Sequence, residues 1–115
     1  MAMRKASQPA VRIGSAVSTG DLDKSLIRRY VRRTLPAIRH CYEKALVRQP
    51  DLAGTVTSRF TIDTDGRVAE STADGVGDPV LESCVAELIG AIQFPAARGG
   101  GLVKVRYPFQ FKRAE

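Results

Sequence analysis

At 115 residues and 43% hydrophobic, the chain has the length of one compact domain and enough apolar content for a core. It has no Trp and only 6% aromatic residues, so that core is mostly aliphatic, and no run approaches the roughly 18 apolar residues that a membrane-spanning helix needs. The net charge of +6 is uneven: residues 1–50 carry 11 Lys/Arg against 3 Asp/Glu, a balance of +8, while residues 51–115 carry 7 against 9, a balance of −2. Such polarity suits an anionic neighbour, whether acidic protein, nucleic acid or lipid headgroup, without choosing among them.

The opening MAMRKASQPAVRIGSAV has early positive charge but no continuous apolar block, so it does not read as a signal peptide. Its first three residues have the look of a cloning scar, which would make the chain an excised fragment. Residues 1–20 mix Ser, Pro, Ala and Gly without a period and are expected to be a flexible linker, with one domain over residues 21–115.

Asp21 is the expected N-cap of the first helix, with Asp23 in its first turn. Ile27, Tyr30, Val31, Leu35, Ile38, Cys41, Tyr42 and Ala45 recur at helical spacing and form one apolar stripe. Arg28, Arg29, Arg32, Arg33 and Arg39 project from the other side. Pro36 should kink or divide this helix, and Pro50 with Gly54 ends it.

In TVTSRFTID, Val56, Ser58, Phe60 and Ile62 alternate with polar residues, the mark of a strand with one covered and one wet face. Asp63–Gly66 is a tight hairpin turn with Gly66 supplying positive φ, and RVAESTA is the return strand. Asp78 caps a second helix and Pro79 opens it, with Leu81, Cys84, Val85, Leu88 and Ile92 as its buried stripe. In LVKVRYPFQF, Val103, Val105, Tyr107, Phe109 and Phe111 face one way and Leu102, Lys104, Arg106, Pro108 and Gln110 the other. Pro108 cannot donate to a ladder, so this strand, 102–112, is expected at a sheet edge. The expected fold is therefore α+β in the order αββαβ: a three-stranded antiparallel sheet, the last strand beside the first, with both helices on its apolar face.

No catalytic or metal chemistry emerges. His40 and Cys41 are sequence neighbours and so point about 100° apart on a helix, which rules out a dyad between them. Two cysteines 43 positions apart, with no third or fourth ligand, do not make a zinc module. Gly99–Gly101 precedes a strand rather than a helix, which removes the phosphate-loop geometry. Asp63 and Asp65 belong to a turn. No cofactor is implied. Two readings of the thiols stay open: a bridge between two buried helix stripes in an oxidising compartment, or two unbonded core residues in a reduced cytosol. The arginine stripe likewise has two readings, a solvated helix face or a basic surface for nucleic acid or an anionic partner. Tyr30 and Tyr42 sit on the apolar stripe instead of among the arginines, which counts against base stacking.

The segments IRHCYEKAL, DLAGTV, TIDTDGRV, VLESCVAELI, FPAARGG and VKVRYPFQF resemble the AgmX/PglI-type C-terminal domain, a branch of the TonB C-terminal-like superfamily. The likeness runs from about Leu22 to Phe111. It rests on Cys-Tyr-Glu near the end of the first helix, Leu-x-Gly-x-Val, Asp-Gly-x-Val at the hairpin, Cys-Val in the second helix, Phe-Pro after it, and Tyr-Pro-Phe-x-Phe in the last strand. The Tyr-Pro segment that precedes the first helix in siderophore-system TonB is missing.

The resemblance implies a non-enzymatic periplasmic module at the C-terminal end of an inner-membrane-anchored protein of gliding-motility or energy-transducing machinery. It implies a Cys41–Cys84 disulfide. It also implies binding of a periplasmic or outer-membrane protein segment by strand addition, for which the edge candidate in this sequence is the last strand, with Leu102, Lys104, Arg106 and Gln110 beside the docked segment; a homodimer through the same edge would compete. Nucleic acid is not an expected partner under this reading. A basic domain that binds nucleic acid or an anionic surface through its first helix is the alternative.

Overall fold

The computed structural model describes residues 9–113. Residues 1–8 of the expected linker over 1–20, and the last two residues of the expected domain, lie outside the described part. The elements, in chain order, are β1 (Ala10–Ile13), β2 (Val17–Thr19), α1 (Lys24–Arg48), β3 (Gly54–Ile62), β4 (Val68–Asp74), α2 (Pro79–Gly90) and β5 (Val103–Lys112). All five strands join one antiparallel sheet in the order β1-β5-β3-β4, with β2 also paired to β5.

The α+β class and the two helices agree with the sequence reading, but the sheet has five strands instead of three. The two extra strands come from residues 10–19, inside the stretch expected to be a linker. Val11 and Ile13 turn toward the core opposite Phe111 and Phe109, and this contact is what orders the arm.

α1 starts at Lys24, so the N-cap is Asp23 rather than Asp21, and its carboxylate accepts from the Ser25 N–H at 2.9 Å. The helix runs unbroken through Pro36 for 25 residues, a length of about 37 Å. Pro36 removes one intrahelical donor, and the exposed face there lets water satisfy the carbonyl left without a partner.

Ile27, Val31, Ile38, Cys41, Tyr42 and Ala45 of α1 and Leu81, Val85 and Ile89 of α2 are buried. They share one core with Val56, Phe60 and Ile62 of β3 and with Val103, Val105, Tyr107, Phe109 and Phe111 of β5. Both helices thus lie over the same face of the sheet. The opposite face carries the exposed alternates of the strands, and no helix among the described residues lies on it.

The hairpin after β3 is held by the Asp63 carboxylate, which accepts from the N–H groups of Asp65 at 2.9 Å and Arg67 at 3.0 Å. Gly66 has φ +88°, and a Cβ there would meet the Phe94 carbonyl oxygen, so this turn admits only glycine.

Asp78 begins α2 with a buried carboxylate that serves four donors. It accepts from the Val80 and Leu81 N–H groups at 3.0 and 3.3 Å, from Arg48 at 3.2 Å and from Gln49 at 3.0 Å. It therefore caps one helix and ties it to the end of the other. Asp78→Ala should lower the unfolding free energy by about 2 kcal/mol, a lost cap plus two orphaned amides, while Arg48 simply returns to water. Equilibrium urea unfolding checks this, and a loss below about 0.5 kcal/mol would contradict the tie.

Candidate functional site

Cys41 sits on the buried face of α1 and Cys84 on the inward side of α2, and the two are bonded, with Cα atoms 6.1 Å apart across 43 positions. The expected pairing is thus the one present. Both cysteines of the chain are consumed, so neither thiol is free for nucleophilic or metal chemistry. Among the described residues no group of three His, Cys, Asp or Glu side chains gathers where it could hold a metal ion.

The expected binding edge is not an edge. β5 pairs with β3 along one side, from Val103 opposite Ile62 to Phe111 opposite Gly54. Its other side is covered by the chain's own arm, Ala10–Ile13 against Phe109–Lys112 and Val17–Thr19 against Lys104–Arg106. The edge assignment rested on the missing N–H of Pro108, and the arm resolves that defect with a bulge. Three residues, Gly14, Ser15 and Ala16, lie opposite two, Tyr107 and Pro108, so the ladder is interrupted where the donor is lacking. The Pro108 carbonyl still accepts from the Gly14 N–H at 2.9 Å. A Cβ on Gly14 would meet the proline ring at 2.7 Å, so this approach requires glycine.

Lys104, Arg106 and Gln110 stand instead on the open face of the central strand, and Leu102 lies just before it, exposed. Opposite them are Thr61, Arg59 and Thr55 on β3 and Thr19, Val17 and Arg12 on the arm. A depression of about 550 Å³ is lined by Arg59, Lys104, Arg106, Glu70 and neighbouring threonines. Arg59 and Arg106 are directly opposed, a like-charge pair that costs stability. Asp74 offsets part of this by holding Arg59 at 3.1 Å. The free borders of the sheet are β4 on one side and the broken β1–β2 arm on the other.

Arg28, Arg29, Arg32, Arg33 and Arg39 are all exposed on α1, as their spacing implies. None of the five pairs with a carboxylate within 4.0 Å among the described residues. Arg33 lies over the Tyr30 ring, 4.7 Å from its centroid, so this aromatic does meet the arginine face, with its ring also packed 5.7 Å from that of Phe94. Arg39 stands apart, beside Pro9–Val11 and Leu35.

Two further grooves meet at Ser25 and Arg28. One, of about 580 Å³, runs between the bulge and α1 and is lined by Ile13–Ala16, Lys24, Ser25, Arg28 and Tyr107. The other, of about 530 Å³, continues past Arg29, Arg32 and Arg33. Burial pushes the Tyr107 phenol up, and the charges of Arg28 and Arg32 pull it partly back.

Lys24 and Tyr107 escaped the sequence reading as members of this surface. Lys24 was legible in principle, one turn before Arg28, whereas Tyr107 is core by its alternation and reaches the groove only because the arm bulges beside it. The comparisons with known proteins stand apart from this geometry: no family model, no curated protein and no solved structure matches the chain.

Proposed function

We propose that this domain is a non-enzymatic interaction module of a bacterial cell envelope. In this reading it is the periplasmic C-terminal end of a TonB-like, inner-membrane-anchored motility or energy-transducing protein. It grips an extended segment of a periplasmic or outer-membrane partner by strand addition. The observation that carries the reading is the uncovered border of β4, Val68–Asp74, beyond which no strand lies among the described residues.

A terminal strand presents unpaired N–H and C=O groups, and a partner backbone completes the ladder. β4 carries Ala69, Ser71, Thr72 and Ala73, small side chains that leave its backbone approachable. It has no lysine or proline, the residues that most often blunt an edge. Its exposed acids, Glu70 and Asp74, favour a partner segment with lysine or arginine at alternate positions. Two copies of β4 can also pair with each other, so a homodimer competes with the partner.

The Cys41–Cys84 bridge supports the compartment in this reading, because such bonds persist where the surroundings are oxidising. It also suits a load-bearing role, since it holds the two helices together above the sheet.

The test is site-specific photo-crosslinking in the native envelope, with the photoreactive residue placed at Thr72, at Glu70, or at Lys44 on the exposed side of α1. Adducts of one size at both β4 positions and none at Lys44 are expected. Equal labelling at Lys44, or none on β4, would sink the proposal.

A further inference from the structure

We infer that the groove between α1 and the N-terminal arm, together with the adjoining groove along α1 that Arg32 lines, is a binding site for a phosphate-class oxyanion, held by Lys24, Arg28, Arg32 and the Tyr107 hydroxyl. This inference is independent of strand addition, which concerns β4 at the opposite border of the sheet.

Lys24, Arg28 and Arg32 follow one another at i, i+4 and i+8, so they stand one above the next on a single side of the helix. Like charges at that spacing destabilise a helix. No carboxylate among the described residues forms an ion pair with any of the three, and the neighbouring N-cap carboxylate, Asp23, is engaged by the Ser25 N–H. An uncompensated column of cations beside a groove is a surface that an anion stabilises.

The second observation comes from the sheet. Tyr107 is 1% exposed, yet it lines the groove, and Arg28 and Arg32 lie close enough for their charges to act on its phenol. Its hydroxyl makes no hydrogen bond to another described residue, and Tyr107 lines the groove together with Lys24 and Arg28, so this donor is available to a group bound there. The bulge at Gly14–Ala16 is what leaves this gap, because the extra residue interrupts the β1–β2 arm beside Tyr107.

The donor set favours a phosphate over a carboxylate. A carboxylate has two coplanar oxygens and suits a single guanidinium fork. Two guanidinium forks and an ammonium from the helix, with a phenol from the sheet, offer more donors than two coplanar oxygens accept, which suits the larger oxygen set of a phosphate. The groove volume of about 580 Å³ admits a headgroup or a free phosphate.

The experiment titrates the folded, oxidised domain with inorganic phosphate and pyrophosphate by calorimetry. In parallel, it measures co-sedimentation with phosphatidylglycerol and phosphatidylcholine vesicles. Arg28→Gln/Arg32→Gln tests the column, and Tyr107→Phe removes the hydroxyl while keeping the ring. Lys104→Gln/Arg106→Gln, on the open face of the sheet, removes the same charge elsewhere.

Saturable binding is expected, weakened about tenfold or more in Arg28→Gln/Arg32→Gln, about fivefold in Tyr107→Phe, and little changed in Lys104→Gln/Arg106→Gln. Binding of the free anions identifies a soluble phosphate as the source, and binding of phosphatidylglycerol vesicles alone identifies a lipid phosphodiester; either supports the site. No binding in any arm overturns it, as does an equal loss in the two double variants, which would mean a diffuse charge effect. A DNA oligonucleotide serves as a further titrant, and its binding where neither phosphate nor vesicles bind would also overturn the site and would favour a nucleic-acid surface on α1.

Discussion

Replacing Cys41 and Cys84 together by alanine should lower the unfolding free energy by about 4 kcal/mol. The bond closes a loop spanning 43 positions, which removes many conformations from the unfolded chain and few from the folded one. Its ends lie on the facing sides of α1 and α2, so the native packing should survive its loss in outline. For a domain whose whole margin is about 5–15 kcal/mol, this is a large share. Urea unfolding of the oxidised protein, the reduced protein and the double variant provides the measurement. Reduced protein and double variant should unfold together, well before the oxidised form. Coincidence of all three curves would show that the bridge contributes nothing to stability.

Phe94→Ala should cost about 3–5 kcal/mol, comparable to the bridge. Phe94 follows α2 and is 2% exposed, with its ring 5.8 Å from that of Phe60 on β3 and 5.7 Å from that of Tyr30 on α1. It therefore joins helix, sheet and the chain leaving α2 at one point. Its backbone is fixed as well, the N–H donating to the Gly66 carbonyl at 2.8 Å. Because neighbours on three sides are anchored, the site cannot collapse around the missing ring, and the cavity penalty adds to the lost burial. Val47→Ala, at a position 85% exposed, is the control and should change stability by less than about 0.5 kcal/mol. A Phe94→Ala loss below about 1 kcal/mol would show that the three elements do not meet there.

What the sequence determined by itself is everything set by neighbours within a few positions. The apolar stripe of α1 follows from a spacing of three and four, and the alternation in β3 and β5 follows from a period of two. The Asp78-Pro79 start of α2 and the Asp63–Gly66 turn are local hydrogen-bond arrangements between adjacent residues. The exposed arginines of α1 were legible for the same reason. A one-residue displacement of such a signal is also local: Asp21 and Asp23 are both good caps, and only the backbone at Lys24 distinguishes them.

The tertiary structure alone decided the sheet's width and which strand is free. β1 and β2 have four and three residues, too few for any period to be visible, and the Gly14-Ser15-Ala16 between them reads as linker. They are strands because β5, about 90 positions later, offers them a ladder and an apolar face. The same long-range pairing moved β5 from the edge to the interior. The proline that argued for an edge is accommodated by three residues of the arm bulging past it. The candidate anion site has the same origin, since no spacing in the chain links Tyr107 to Lys24 and Arg28. Only a strand, a helix and a bulge meeting in space bring them together, and that meeting depends on contacts whose sequence separation leaves no local trace.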